Sequence, residues 1–486
     1  MGDIAQLADH LSAPRGQGRL EGWAHFGVAG GAACGDLVRI AVRVEGDRIA
    51  ESGFTASGCA AARAAASAVV ELTEGTLFLD AARLTGDNIS EELGGLTPLG
   101  RHAADLAAEA LHRALGAAAR DGAPRLPQDE RRTLVAMSGG VDSAVAAALA
   151  LEAGHEVVAV TLELWAHPEN DGERSCCSPQ AVIGARALAH RMGLPHVTLD
   201  LRDAFKHEVV ENFVEEHDGG RTPNPCVRCN GLVRFDRMLA LAGALGAARL
   251  ATGHYARVER DGSGPLLRPA ADPRKDQTYM LARLEPHELE RLWFPLGELE
   301  KPAVREIARQ QDLPVAEKPE SQDLCFLAGI DRRRLLRPGR PGDIVDRRGR
   351  VLGRHSGQEG FTVGQRRGIG VAAPEPLYVL HKDATSGRVT VGPREALATT
   401  RVPVTGARLL RPGAAVNRVK LRYRAAPIAC RVLGDRGAGE HERIDVLLES
   451  PVDGAAPGQT ACLMCDDSIV GWGTIAEPDL EAANAA

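Results

Sequence analysis

A doubly wound parallel α/β domain, followed by one or two small β domains, is what this sequence predicts for its middle and C-terminal parts. Three observations carry that prediction. The chain has 486 residues, which at about 150 per domain gives roughly three domains. From Thr133 onward, apolar β-type runs alternate with helix patterns, as strands do when crossover helices join them in parallel. Beyond about residue 331 the helix patterns fade, and short β-type runs separated by Gly and Pro turns replace them.

The first segment, to about residue 125, closes on the Ala-rich amphipathic stretch HAADLAAEALHRALGAAAR. DGAPRLPQDERR follows, polar and Pro-containing, and reads as a linker with a boundary near residue 127. TLVAM then makes the first strand of the α/β domain, a Gly turn follows, and SAVAAALALEAG is helical. HEVVAVTLELW and PHVTLDL are the next strand candidates, with the helix AVIGARALAHRMG between them. RVTVG, RIDVLLE and SIVGWGTI are β-type runs of the C-terminal region, and EPDLEAANAA reads as a frayed tail.

Hydrophobic residues make up 44% and charged residues 25% of the chain, an ordinary globular balance. No apolar run approaches the ~20 residues that span a bilayer. The N-terminus lacks a basic stretch followed by an apolar core, so the expected location is the cytoplasm, with no membrane partner. In that compartment the ten cysteines are expected as thiols, metal ligands or redox groups rather than disulfides. The net charge of -7 hides an asymmetry. Residues 1–125 carry 11 Arg against 16 Asp and Glu, a net of -5, whereas residues 331–430 total about +14. Positive charge clustered on an acidic protein is the footprint of a phosphate-rich partner. Arg outnumbers Lys 52 to 6, which a coding bias explains, but that bias does not explain why acidic residues are scarce in this region.

Ser138-Gly139-Gly140-Val141-Asp142-Ser143 lies between the first strand and the first helix of the α/β domain. Two glycines let the backbone close up and aim its amides inward, two hydroxyls add donors, and the helix N-terminus adds partial positive charge. Asp142 is placed to orient the loop or to help hold Mg²⁺. The motif lacks the Lys of the Walker loop. SGGVDS resembles the pyrophosphate loop of enzymes that cut ATP between its α and β phosphates and adenylate a substrate oxygen.

Further stretches narrow the resemblance: GRTPNPCVRCN at 220–230, ATGHYARV at 251–258, KDQTYML at 275–281, ESQDLCF at 320–326, GQRRGIG at 364–370 and LRYR at 421–424. Together they resemble the tRNA-specific 2-thiouridylases over about 350 residues, from Thr133 to about residue 478. The resemblance implies ATP-dependent replacement of the C2 oxygen of the wobble uridine of tRNA by sulfur. It also implies a cysteine desulfurase or sulfur-relay protein as donor. By the match, Ala136, Met137, Ser138, Gly139, Gly140, Val141, Asp142, Ser143, Leu162 and Gly253 would contact ATP. Asn224 and Pro225 would hold the target base, and His254, Lys275, Asp276, Gln277, Arg422, Tyr423 and Gln459 would contact tRNA. Cys229 and Cys325 fall at the two catalytic cysteines, Cys325 as the persulfide carrier and Cys229 as its attacker.

One position departs from the family pattern. Some members have Asp in TPNPDxxCN, and here Cys226 replaces it, making a Cys226-Val227-Arg228-Cys229 pair with Cys325 as a third thiol 96 residues later. Three converging thiolates can hold a [4Fe–4S] cluster with one iron open to hydrosulfide. A persulfide relay and half of a zinc site are the other readings of the same thiols.

Residues 20–120 resemble the U-type iron–sulfur scaffold proteins in order and spacing: Cys34-Gly35-Asp36, Ser57-Gly58-Cys59, LGGLTP and His102. Cys34, Asp36, Cys59 and His102 match the scaffold ligands, but Ala103 stands at the third cysteine. Two readings stay open, a labile cluster site and a retired scaffold that serves as a docking surface. A cluster-handling module tethered beside three thiols would raise the effective concentration for transfer. Cys176-Cys177 could be redox-active or structural, and Cys462 and Cys465, with Cys430 nearby, read as strand and turn packing.

The resemblances together imply a fold class of four parts. They are an α+β scaffold-like domain with its linker (1–126), an α/β pyrophosphate-loop domain (127–330), a small central β-rich domain (331–400) and a C-terminal β-barrel (401–478), with 479–486 as tail. Two alternatives from other classes are a different adenylating enzyme, such as an amide-forming ligase, and an RNA-binding iron–sulfur carrier.

Overall fold

The computed structural model describes residues 4–19, 25–31, 35–165, 179–319, 326–327, 332–337 and 339–477. Its architecture has the four expected parts: an α+β unit, a parallel sheet with flanking helices, a small β unit and a closed barrel.

In the first unit, strands His25–Gly30, Leu37–Glu45 and Arg48–Ser57 form an antiparallel sheet. LVRIAVRVE alternates as a half-buried strand should, with Val38, Ile40 and Val42 in the core. A two-residue turn joins it to the next strand, and Gly46 supplies the positive φ of +61° that such a turn demands. The Pro98–Arg120 helix starts at a Thr97 cap with Pro at its first turn. Ala103, Ala107, Ala110, Leu111, Ala114, Leu115 and Ala118 recur at helical spacing on its buried face. Small side chains let it lie directly on the sheet: a Cβ on Gly27 would stand 2.1 Å from the Ala110 carbonyl oxygen.

The parallel sheet has the spatial order Leu292–Trp293, Ala247–Thr252, Asp129–Ala136, Glu156–Glu163, His196–Asp200. Val157 to Val160 are all buried, as befits a strand covered on both faces. The chain proceeds outward in one direction from Asp129–Ala136 and then returns to its other side, so this strand ends at a topological switch point.

The first unit is bolted onto the edge strand of this sheet. Ala82 O accepts from His196 N (3.0 Å) and approaches His190 Nε2 (3.1 Å), and Arg186 pairs with Glu109. The Pro98–Arg120 helix crosses the edge strand at Gly116, where a Cβ would stand 2.2 Å from Thr198 O. The stretch read as a linker is held from both sides: Arg125 N bonds Gly46 O (2.7 Å), Leu126 N bonds Ala244 O (2.9 Å) and Asp129 N bonds Gly246 O (2.9 Å). These bonds correct the picture of a tethered module, because backbone amides that the sequence left unassigned find partners in both neighbours.

Strands Gly342–Val345, Val351–His355, Tyr378–Asp383 and Arg388–Gly392 form the small central sheet around Ile344, Val379, Val389 and Val391. The barrel runs Ala398–Leu409, Gly439–Asp453, Ile428–Val432, Arg418–Lys420, Thr460–Cys465, Ser468–Ile475, and closes when the last strand pairs with the first. A hairpin from the middle of the chain, Ala256–Asp261 with Gly264–Pro269, extends the barrel sheet through Leu267 opposite Ile469. Among the described residues no helix is long and apolar enough to cross a membrane.

Candidate nucleotide and thiol site

Strand Asp129–Ala136 delivers Met137 and the glycine loop to the switch point. Gly139 takes φ +71°, and helix Val141–Glu152 begins at Gly140 without a side-chain cap, so its first amides face the loop. Ser143 Oγ donates to Gly140 O (3.0 Å) and accepts from Ser138 N (3.1 Å), which sets the loop's curvature. Thr161 Oγ1 donates to Met137 O (2.8 Å), and Leu162 follows it at the end of the neighbouring strand. Gly253 is required for close approach, since a Cβ there would stand 2.8 Å from Asp142 C and Ser143 N.

Sequence reasoning missed three residues around Asp142. Tyr255 Oη (2.9 Å) and Lys301 Nζ (2.6 Å) both donate to its Oδ1, and Lys318 Nζ donates to Gly139 O (2.9 Å). No local signal marks the lysines, because they lie 159 and 179 residues from their loop partners. His254 Nδ1 meets Thr252 Oγ1 at 2.8 Å, and its ring packs near Phe235 and Phe294. Burial and then Arg234 push its pKa down to about 3, so it is neutral at physiological pH.

Phe235 opens a helix that continues, through Asn230–Arg234, from the Pro225–Cys229 turn. Asn224 caps that turn, its Oδ1 accepting from Cys226 N (3.1 Å) and Val227 N (3.3 Å), and Pro225 takes the first helical position. Cys226 and Cys229, three residues apart, therefore share one side of the helix. Cys229 is buried and Cys226 partly so. Arg283, brought down to about 10 by burial and the nearby Arg228, stacks its guanidinium 4.3 Å from the Trp472 ring of the barrel. Tyr279, fully buried, donates to Thr460 O (2.8 Å) and lies 6.3 Å from the ring of Tyr423. Burial raises the pKa of Tyr423, with the Cys226 side chain among the lesser causes. The barrel thus forms one wall beside the thiol helix.

The residues expected at tRNA contacts have defined places. Asp276 is nearly buried, with its carboxylate on Thr278 Oγ1 (2.9 Å) and Lys420 Nζ (3.4 Å). Gln277 Oε1 accepts from Tyr255 N (2.9 Å), Gln459 Nε2 donates to Thr222 O (2.6 Å) and Arg422 donates to Gly454 O (2.9 Å). Lys275 lines a cleft of about 550 Å³ together with Asp272, Arg274, Lys301, Pro302, Arg305 and Arg309. Cys325, Cys34 and the Cys176–Cys177 pair lie outside the described residues.

In the first unit Cys59 caps the Ala60–Thr73 helix, and Asp36 grips it: Cys59 N bonds Asp36 Oδ1 (2.6 Å) and Sγ bonds Oδ2 (3.2 Å). Gly58, at φ +112°, is needed there because a Cβ would stand 2.1 Å from Asp36 Oδ1. His102 is exposed at the start of its helix, whereas Ala103 points into the core. Among the described residues, Asp36, Cys59 and His102 do not bring three ligand atoms within 4.8 Å of one another; the set of three that does is His10, Glu71 and Glu92. Cys462 and Cys430 are buried in the barrel, and burial pushes the Cys430 thiol up to about 12, consistent with packing roles.

Residues 131–329 match the tRNA methyl transferase HUP domain, 4–120 the NifU-like N terminal domain, 334–393 the tRNA methyl transferase PRC-barrel domain and 411–475 the aminomethyltransferase beta-barrel domain. The chain is 46% identical over 494 residues to a bifunctional protein NifU/MnmA of Rubrobacter xylanophilus, covering 98% of each. It is 43% identical to tRNA-specific 2-thiouridylases MnmA of Methylobacterium radiotolerans (74% of this chain, 97% of that one) and Geobacter metallireducens (71% and 96%). The chain belongs to the MnmA family of tRNA-specific 2-thiouridylases, in the fused form that carries a NifU-like domain ahead of the enzyme.

Proposed function

We infer that the protein uses ATP to adenylate the C2 oxygen of the wobble uridine of tRNA and then replaces that oxygen with sulfur. The uracil carbonyl is a poor electrophile with oxide as leaving group, and transfer to AMP turns that oxygen into a good one. The observation that carries the reading is the glycine loop at the switch point, joined through Gly253 and His254 to the helix that continues from Cys229. The loop amides and the helix N-terminus bind phosphate. The loop contributes a single carboxylate, Asp142, so Mg²⁺ would take most of its ligands from phosphate and water. Asn224 and Pro225 sit at the mouth of the thiol helix, where a splayed anticodon base is read. The basic region from residue 331 supplies the charge that the tRNA backbone requires. Cys325 would carry the persulfide and Cys229 would attack it, and a thiolate or persulfide is a far better nucleophile than water at neutral pH.

Cys226 favours a second form of the same reading. Cys226 and Cys229, on one side of a helix, would hold a [4Fe–4S] cluster together with Cys325. Such a cluster supplies an iron to which hydrosulfide binds.

Two measurements test the proposal. Purified protein, given a sulfur donor and unmodified transcript without oxygen, is expected to convert ATP to AMP only when tRNA is present and to yield 2-thiouridine. No nucleotide turnover and an unchanged anticodon would refute it. Iron and sulfide are then quantified on anaerobically purified intact chain and on Cys226→Ala. Activity surviving in an iron-free Cys226→Ala protein excludes the cluster form and leaves the persulfide relay.

A further inference from the structure

The geometry points to Lys301 and Lys318 as the cations that hold the β- and γ-phosphates of the nucleotide, with the adjoining basic cleft retaining the pyrophosphate that leaves. The inference rests on the adenylating reading above and adds the residues and the subsite for its leaving group. In the step concerned, the uridine C2 oxygen forms a bond to the α-phosphorus and the bond from that phosphorus to the bridging oxygen breaks. Pyrophosphate departs with the electron pair and with about three negative charges near neutral pH, and the N3 proton of the uridine is released to solvent as the C2 oxygen becomes bonded to phosphorus. The SGGVDS loop has no lysine of its own, so that charge must be met from elsewhere in the fold.

The structure brings two ammonium groups to the loop from distant sequence. Lys301 Nζ lies 2.6 Å from Asp142 Oδ1, and Lys318 Nζ lies 2.9 Å from Gly139 O, so they flank the Gly140 amide turn. The Lys301 side chain is only 10% exposed. A near-buried Lys–Asp pair is weak evidence for stability, because desolvation offsets the attraction. A compact ammonium held on the loop's own oxygens, beside its amides, is instead suited to a phosphate oxygen.

Composition points the same way. The chain has six lysines among 58 basic residues, and Lys275, Lys301 and Lys318 all sit at this loop or its cleft. The cleft continues outward from Lys301 and is lined by Arg274, Lys275, Arg305 and Arg309 against one acid, Asp272. Asp272 accepts from the backbone amides of Arg274 (3.0 Å) and Lys301 (3.2 Å), so it shapes the turn that presents Lys301. Arg305 bonds the carbonyls of Ala316 and Lys318, which fixes the segment carrying the second ammonium.

The test uses full-length protein and measures binding of ATP, AMP, inorganic pyrophosphate and unmodified transcript to wild type, Lys301→Met, Lys318→Met and Lys301→Arg. The Met variants are expected to weaken ATP and pyrophosphate by about 10- to 100-fold, the range for a lost charged hydrogen bond. AMP and transcript binding are expected to stay within about twofold. Lys301→Arg, which keeps the charge, is expected to retain pyrophosphate binding better than Lys301→Met and guards against a folding defect. Unchanged ATP and pyrophosphate binding overturns the inference. So does an equal loss of AMP and ATP in all three variants, and so does a loss confined to transcript, which would assign the cleft to nucleic acid. A wild-type protein that binds neither ATP nor pyrophosphate would instead sink the adenylating reading itself.

Discussion

Gly116→Ala adds one methyl group where the Pro98–Arg120 helix crosses the edge strand of the parallel sheet. The new Cβ would stand 2.2 Å from Thr198 O, a backbone atom that cannot swing aside as a side chain can. Helix and strand must separate by about 1 Å, and overpacking of that kind costs about 1–3 kcal/mol. Alanine also gains about 1 kcal/mol over glycine within a helix, which offsets part of the cost without restoring the contact. Gly184 provides the comparison, since it is exposed within the Pro179–Arg191 helix and its Cβ position meets nothing within 4 Å. Gly184→Ala is expected to stabilise by about 0.5–1 kcal/mol. The two substitutions are chemically identical, so the interface is isolated by their difference. Hydrogen exchange of the edge strand His196–Asp200 is the assay, because His196 N bonds Ala82 O across the interface. Gly116→Ala is expected to lower protection there by about 5- to 150-fold, the equivalent of 1–3 kcal/mol. Gly184→Ala is expected to leave it unchanged. Equal protection in both variants would show that the two units do not pack as described.

Three further expectations follow from the packing. His112 and His196 are fully buried at the same interface and His190 largely so, and burial lowers the pKa of all three. Their neutral forms are the ones that fit, so their contribution is complete above the unfolded value of about 6.5 and is lost progressively as pH falls below it. Edge-strand protection factors, with the slowing of intrinsic exchange on acidification divided out, should fall from pH 7 to pH 5.5, and protection factors that stay constant would refute this. Tyr279→Phe leaves Thr460 O without its 2.8 Å donor and should cost about 0.5–1.5 kcal/mol in denaturant unfolding of the barrel; an unchanged midpoint would refute it. Lys420→Met removes the barrel's partner for the nearly buried Asp276, while Thr278 still donates to that carboxylate. A loss of about 1–3 kcal/mol is expected, with proteolysis between barrel and α/β unit as the readout, and resistance equal to wild type would count against it.

What the sequence revealed, and what it hid, divides by range. The glycine loop was legible because strand, turn and helix follow one another within a few residues, and each constrains the next. The Cys226–Cys229 pair was legible for the same reason. The hairpin Ala256–Asp261 with Gly264–Pro269 was not assigned to the barrel, because its partner Ile469 lies about two hundred residues on and β-patterning does not name its neighbour. Lys301, Lys318 and Tyr255 were invisible for the same reason: an isolated cation or tyrosine carries no periodicity. The stretch DGAPRLPQDERR has a linker's composition, yet its amides are satisfied by Gly46, Ala244 and Gly246, partners that composition cannot reveal.

That last point changes how the two halves work together. A flexible tether raises effective concentration by letting one site search for the other, with the gain set by linker length. Here the connector is bonded to both units, Ala82 and Gly116 are packed on the edge strand, and Glu109 pairs with Arg186 of the flanking helix. The separation between Cys59 and Cys229 is therefore set by packing and not by linker reach. His102, at the exposed start of the Pro98–Arg120 helix, lies fourteen residues before Gly116, or about 21 Å along the axis from the interface. His102 thus stands well away from the point at which this helix crosses the edge strand. Lengthening the connector with inserted glycines should consequently leave thiolation unchanged as long as the interface holds. A rate that changes with insert length would show that the units come apart during turnover, and would restore the tether as the working principle.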